Sequence, residues 1–106
     1  MNDTIEALLS ELKSGLAQIY AERLRGLYLF GSYATGHQHP ESDLDVLIVL
    51  DRLDSYGAEI DRTGPLISAI SLNYALSVSR GFFSETDWAR SDSPFLDNLR
   101  QEAIPA

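Results

Sequence analysis

Two aspartates two positions apart, Asp43 and Asp45, stand at the head of the apolar run "LDVLIVL". A glycine–serine pair, Gly31 and Ser32, follows the shorter run "LYLF". On an extended strand successive side chains alternate, so both carboxylates point to one face with Cα atoms about 6–7 Å apart. Two ionised carboxylates at that spacing repel by roughly 3 kcal/mol at an effective dielectric of about 20. Either one takes a proton or a cation sits between them. Mg²⁺ meets the second requirement, since it takes oxygen ligands and uses one or two carboxylates plus substrate phosphates. The glycine lets a phosphate approach the backbone, N–H groups at a helix start favour anions, and the serine hydroxyl adds a donor. If the two runs pair antiparallel, a phosphate grip and a metal grip meet at one end of a sheet. That is apparatus for phosphoryl or nucleotidyl transfer.

The elements that must position these groups can be read from periodicity. Thr4 to Arg25 has a helical apolar stripe of Ile5, Leu8, Leu9, Leu12, Leu16, Ile19, Tyr20 and Leu24, with Gly26 as its stop. Leu27 to Phe30 reads as a short strand, Ser32 to Thr35 as a helical turn and Gly36 to Ser42 as a loop. Leu44 to Leu50 is apolar nearly throughout, as in a strand covered on both faces. Ser55 to Tyr74 reads as helix, with Pro65 either kinking it or starting a second helix. Ala75 to Phe83 alternates like a third strand. Ser84-x-x-Asp87 opens a short helix ending near Arg90, and Ser93-Pro94 opens a last one through about Glu102. The order is α-β-β-α-β-α. It predicts an α/β (α+β) fold with a small mixed sheet and flanking helices. The first two strands run antiparallel, and the second and third run parallel across a helical crossover.

The length of 106 residues suits one domain spanning 1–106. There are 16 acidic and 8 basic residues, for a net charge of −8. That balance argues against a surface tracking nucleic acid directly. It permits a nucleotide held through a divalent cation. With no cysteine, disulfides and thiolate metal sites are excluded. The N-terminus lacks the pattern of a signal peptide, and no apolar run reaches the roughly 18 residues of a membrane span. The expectation is a soluble, cytoplasmic protein that leaves the membrane alone. His37 and His39 are ligand candidates by type, though histidines in a polar loop more often face solvent. Tyr33 either touches a nucleotide or packs on its turn.

"LFGSYATGHQHPESDLDVLIVL" resembles the signature of the DNA polymerase β-like nucleotidyltransferase superfamily. The ten-residue spacer and small size resemble the minimal nucleotidyltransferases, in particular MntA-type antitoxins of HEPN–MNT toxin–antitoxin pairs. "SPFLDNLRQEAI" also looks like that group's C-terminal segment. The resemblance implies an antitoxin that uses Mg²⁺ and ATP to move AMP onto a tyrosine of a HEPN-family ribonuclease toxin. Gly31 and Ser32 would hold the triphosphate; Ser32, Asp43 and Asp45 would form the catalytic set, with Asp43 and Asp45 on metal. The superfamily often adds a third carboxylate on a neighbouring strand, here expected near Ala75. No Asp or Glu occurs from Asn73 to Phe83, and Asp51 and Glu85 are the nearest substitutes. The gap keeps two rivals open: an antitoxin that works by covering its toxin, and a small-molecule nucleotidyltransferase.

Overall fold

The structure is a computed structural model that describes residues 3–39, 41–90 and 93–106. Pro40, part of the expected loop, lies outside them. The elements are helix α1 (Asp3–Tyr20), a 3-10 turn (Ala21–Arg23), strand β1 (Leu24–Phe30), helix α2 (Ser32–Thr35), strand β2 (Leu44–Leu50), helix α3 (Tyr56–Tyr74), strand β3 (Val78–Ser84), helices α4 (Glu85–Ala89) and α5 (Pro94–Glu102), and strand β4 (Ile104–Pro105). The sheet order is β3-β2-β1-β4. β1 pairs antiparallel with β2 and with β4, whereas β2 and β3 are parallel. Apart from β4, the mixed sheet and its flanking helices are those the order of elements predicts.

The core lies between one face of the sheet and helices α1 and α3. Leu44, Val46, Ile48 and Leu50 alternate along β2 and are fully buried, as are Leu8, Leu12 and Leu16 on α1. Burying each such side chain contributes about 1.5–3 kcal/mol. That apolar contact, more than local propensity, holds α1 in place. α3 brings Glu59, Thr63, Ile67 and Ile70 to the same layer. Glu59 is the exception in charge, and it is satisfied: Tyr20 donates its hydroxyl at 2.7 Å and Arg62 its Nε at 2.9 Å. Burial pulls Glu59 upward in pKa, but those two donors outweigh it and the net shift is downward. Tyr20 is pushed up, first by burial and then by the bond to Glu59.

Four boundaries depart from the sequence expectation. The first helix stops at Tyr20, not Arg25, because Ala21 takes a positive φ of 50° and the chain then turns into β1. Gly26 is therefore inside a strand and caps no helix; pairing of Leu24 with Leu50 extends β1 to match the seven residues of β2. Pro65 sits inside one unbroken helix, whose N-cap Ser55 accepts the Ala58 N–H at 3.2 Å. Proline removes one helical hydrogen bond. The missing donor is the one that would face the Asp61 carbonyl; on neighbouring carbonyls, Arg80 Nη2 donates to Ile60 O at 2.7 Å, tying the helix to β3, and Thr63 Oγ1 donates to Glu59 O at 2.9 Å. β3 starts at Val78, since Ala75 closes α3 in the left-handed region at φ 50°. The two-residue β4, too short for any periodicity, was not expected at all.

The second face of the sheet is covered only in part. Trp88 of α4 packs on Tyr28 and Phe83, with ring centroids 5.1 and 5.8 Å away. Ser84 and Ser93 cap α4 and α5 as their sequence signatures imply, accepting from Asp87 and Leu96 N–H groups. Arg100 ties α5 back to the Trp88 carbonyl. Asp45 emerges beyond this cover.

Candidate active site

Antiparallel pairing sets the site. Phe30, the last residue of β1, is opposite Asp45 in the β1–β2 register, so Gly31 follows directly beside that carboxylate. Gly31 has φ 76° and ψ −153°, a backbone region open essentially to glycine alone. A Cβ at Gly31 would lie 2.4 Å from Asp45 Oδ2. Conformation and space thus both require glycine here. The chain then winds into α2, where the Gly31 carbonyl accepts from Ala34 and Thr35 N–H groups at 3.1 Å each. Thr35 Oγ1 adds a third bond to that carbonyl at 3.2 Å. The first-turn amides, those of Ser32 and Tyr33, have no intrahelical acceptor by geometry.

The loop to β2 is pinned just ahead of the aspartates. Ser42 is buried; its Oγ accepts the His39 N–H at 2.9 Å and its own N–H donates to the His39 carbonyl at 2.9 Å. His39 Nδ1 accepts from Glu41 N–H at 3.2 Å. His37 and His39 are both exposed. Among the described residues no group of three or more His, Asp or Glu side chains is placed to hold a metal. His39 therefore holds the loop, and the structure does not bring either histidine to the carboxylates as a cluster. Tyr33 packs against the core in part.

Asp43 is exposed and Asp45 half-buried. Neither side chain has a hydrogen bond or ion pair among the described residues. Burial pushes the Asp45 carboxyl up, and the Asp43 charge adds to that. The donor set is two oxygen-only side chains with no cation beside them among the described residues, next to a glycine that leaves the backbone bare. This fits a hard divalent cation that also takes phosphate oxygens.

The position for a third carboxylate moves. The parallel register places Ser79 beside Asp45, and Leu44 N–H bonds the Ser77 carbonyl at 2.9 Å. Ser79, not the neighbourhood of Ala75, is what Asp45 meets on β3, because α3 runs on through Tyr74 and delays the strand. Asp51 and Glu85 lie at the opposite ends of β2 and β3, about 20 Å along the strand at roughly 3.3 Å per residue. Asp51 is bound to Arg23 at 3.1 Å and Glu85 faces Arg25 at 3.9 Å. Neither substitutes at the site.

A mixed sheet whose antiparallel β1 and β2 bracket a short helix, carrying this Gly-Ser/Asp-x-Asp pair, has the build of a nucleotidyltransferase domain. The family model for that domain matches residues 9–91, and the chain belongs to this family of enzymes. It is 32% identical over 97 residues to a protein of Methanocaldococcus jannaschii named "Putative protein adenylyltransferase MJ0141", covering 92% of this chain and 93% of that protein. A solved "Structure of putative minimal nucleotidyltransferase" superposes with a TM-score of 0.63 at 25% identity, over 98% of this chain and 94% of that one. Another, "Crystal structure of the toxin-antitoxin with AMP-PNP", gives a TM-score of 0.60 at 24% identity, over 89% of this chain and 68% of that one. The last likeness is one of fold.

Proposed function

We propose that this chain is a Mg²⁺-dependent adenylyltransferase that moves AMP from ATP to a tyrosine hydroxyl of a HEPN-family toxin and so acts as its antitoxin. The observation that carries the reading is the pair of carboxylates, Asp43 and Asp45, whose side chains have no partner among the described residues, beside the glycine-only backbone at Gly31. A relative named as a protein adenylyltransferase and a similar fold in a toxin–antitoxin structure with AMP-PNP support protein as the acceptor and ATP as the donor.

Asp43 and Asp45 would hold the divalent ion together with phosphate oxygens. Once bound, it supplies Lewis-acid neutralisation of charge on the reacting phosphate and on the leaving pyrophosphate. Gly31 gives the phosphates access to the backbone. Ser32 Oγ and the first amides of α2 donate to them and orient the α-phosphate. The acceptor oxygen then bonds to the α-phosphorus as the bond to pyrophosphate breaks. A tyrosine hydroxyl has a reference pKa near 10, and the serine at position 79 offers it no carboxylate base. That serine favours a second reading, an antitoxin that silences by cover alone. The two separate on intact mass of the toxin after incubation with ATP and Mg²⁺. An AMP-sized gain that vanishes with Asp45→Asn is the expected result; no gain with wild-type protein refutes transfer.

A further inference from the structure

The face of the sheet that bears Asp45 runs on into an apolar cleft of about 450 Å³. Its floor is Leu47 and Gly81, which pair across β2 and β3. Phe30, Leu53, Tyr56 and Phe95 wall it. Leu47 is the next residue after Asp45 on that face, and Phe30 is the register partner of Asp45, so cleft and carboxylates are continuous. Tyr56 is 49% exposed and Phe95 67%, leaving two large rings in water at the rim. Exposed apolar surface concentrated at one place marks an interaction site.

Gly81 is a second signal. Its φ is not positive, so its backbone does not call for glycine. A Cβ would meet Leu47 Cδ1 and Tyr56 OH at 3.5 Å, an ordinary contact. Glycine inside a strand weakens it, and it often marks close approach by a ligand or another chain.

The geometry of displacement says which ligand. Attacking and leaving oxygens lie in line across the phosphorus. On the proposed reading, pyrophosphate leaves over Gly31 and Ser32, at the end of β1. β1 and β3 flank β2 on opposite sides. The acceptor hydroxyl therefore enters from the β3 side, over Ser79, and residues next to it in the acceptor chain pass over Leu47 and Gly81. The cleft has aromatic walls but few polar groups to read the edge of a nucleobase. Among the described residues only Tyr56 and Asp87 bring polar side chains to it, and Asp87 already faces Arg90 at 3.7 Å.

We propose that this cleft docks a bulky apolar side chain adjacent to the accepting hydroxyl of the protein substrate. The inference rests on the nucleotidyltransferase reading of the site. In the step it serves, the acceptor O–P bond forms and the P–O bond to pyrophosphate breaks. Pyrophosphate departs with the electron pair, and the hydroxyl proton passes to water.

Two fluorescent tyrosine heptapeptides test it, one with phenylalanine beside the tyrosine and one with serine there. Binding is measured with MgCl₂ and a non-hydrolysable ATP analogue present. The phenylalanine peptide is expected to bind at least about tenfold more tightly. Gly81→Leu, which fills the floor, and Phe95→Ser, on the exposed rim, should each erase that preference and leave affinity for the ATP analogue within about twofold. No preference in the wild type overturns the proposal, as does a preference that survives both variants. A tenfold loss of ATP-analogue affinity in those variants also overturns it, by placing the nucleobase in the cleft. Peptide preference without any AMP transfer would leave the cleft standing and refute the proposed function. AMP transfer without peptide preference would do the reverse.

Discussion

The two ends of β2 each present carboxylates, and the fold treats them differently. At the far end Asp51 receives Arg23 Nε at 3.1 Å and the Arg52 N–H at 2.7 Å. Burial pulls it up, but those donors and the two arginine charges together win, so its pKa falls. Glu59, nearby, is bound by Tyr20 and Arg62 and also shifts down. At the near end Asp45 has Asp43 for company and no cation among the described residues, and its pKa rises. A carboxylate kept for structure comes with its counter-charge built in. On the proposed reading, a carboxylate kept for a ligand is left without one, and the folded chain carries the repulsion.

The comparison can be broken at several points. Gly31→Val at the near end should have the largest effect. A non-glycine residue in that backbone region costs about 1–3 kcal/mol, and the side chain would also displace the Asp45 carboxylate 2.4 Å from its Cβ. AMP transfer should fall at least about a hundredfold, read by mass of the acceptor, with a lowered Tm. At the far end Glu59→Ala removes the acceptor of the buried Tyr20 hydroxyl. The expected loss is about 1–3 kcal/mol in urea unfolding, the cost of a buried donor left unpaired, with ATP binding retained.

Acid sharpens the contrast because the two ends carry opposite signs. Asp51 and Glu59 have folded pKa values below their unfolded ones. Their stabilisation is present above the unfolded values and is lost as pH falls through the folded ones. Asp45 has a folded pKa above its unfolded value, so its ionisation costs stability at neutral pH, and that cost is relieved on acidification. Unfolding midpoints across the acid range should therefore fall less steeply for Glu59→Gln than for wild type. Asp45→Asn should be the more stable protein at neutral pH and lose that advantage in acid. The smallest effect belongs to Asp51→Asn. Its ion pair is part-buried at the surface, where such pairs contribute little, so a slight, salt-dependent drop in Tm is expected.

Much of the near end was legible in sequence because its chemistry is local. Glycine before serine, the ten-residue spacer and Asp-x-Asp are read without any tertiary knowledge, and the stripe on α1 and the apolar run of β2 follow from period alone. What stayed hidden depends on pairing. Gly26 looks like a helix stop until β2 recruits Leu24 as a strand partner. Pro65 looks like a break, yet the helix runs unbroken from Tyr56 to Tyr74, and Arg80, on another element, grips its middle through the Ile60 carbonyl. Ser79 gains meaning only from the parallel register that sets it by Asp45. The cleft joins Phe30, Tyr56, Gly81 and Phe95 from four separated stretches, a grouping no window of the sequence contains.

The most direct measurement compares Asp45→Asn with Asp51→Asn, scoring each for AMP transfer to the toxin partner and for Tm. The account predicts a crossing. Asp45→Asn should lose transfer by about a thousandfold or more while its Tm holds or rises, and Asp51→Asn should keep transfer while its Tm drops. Equal loss of transfer in both, or a clear drop in Tm with Asp45→Asn, would contradict the claim that the near end of β2 is held ready for a metal-bound nucleotide.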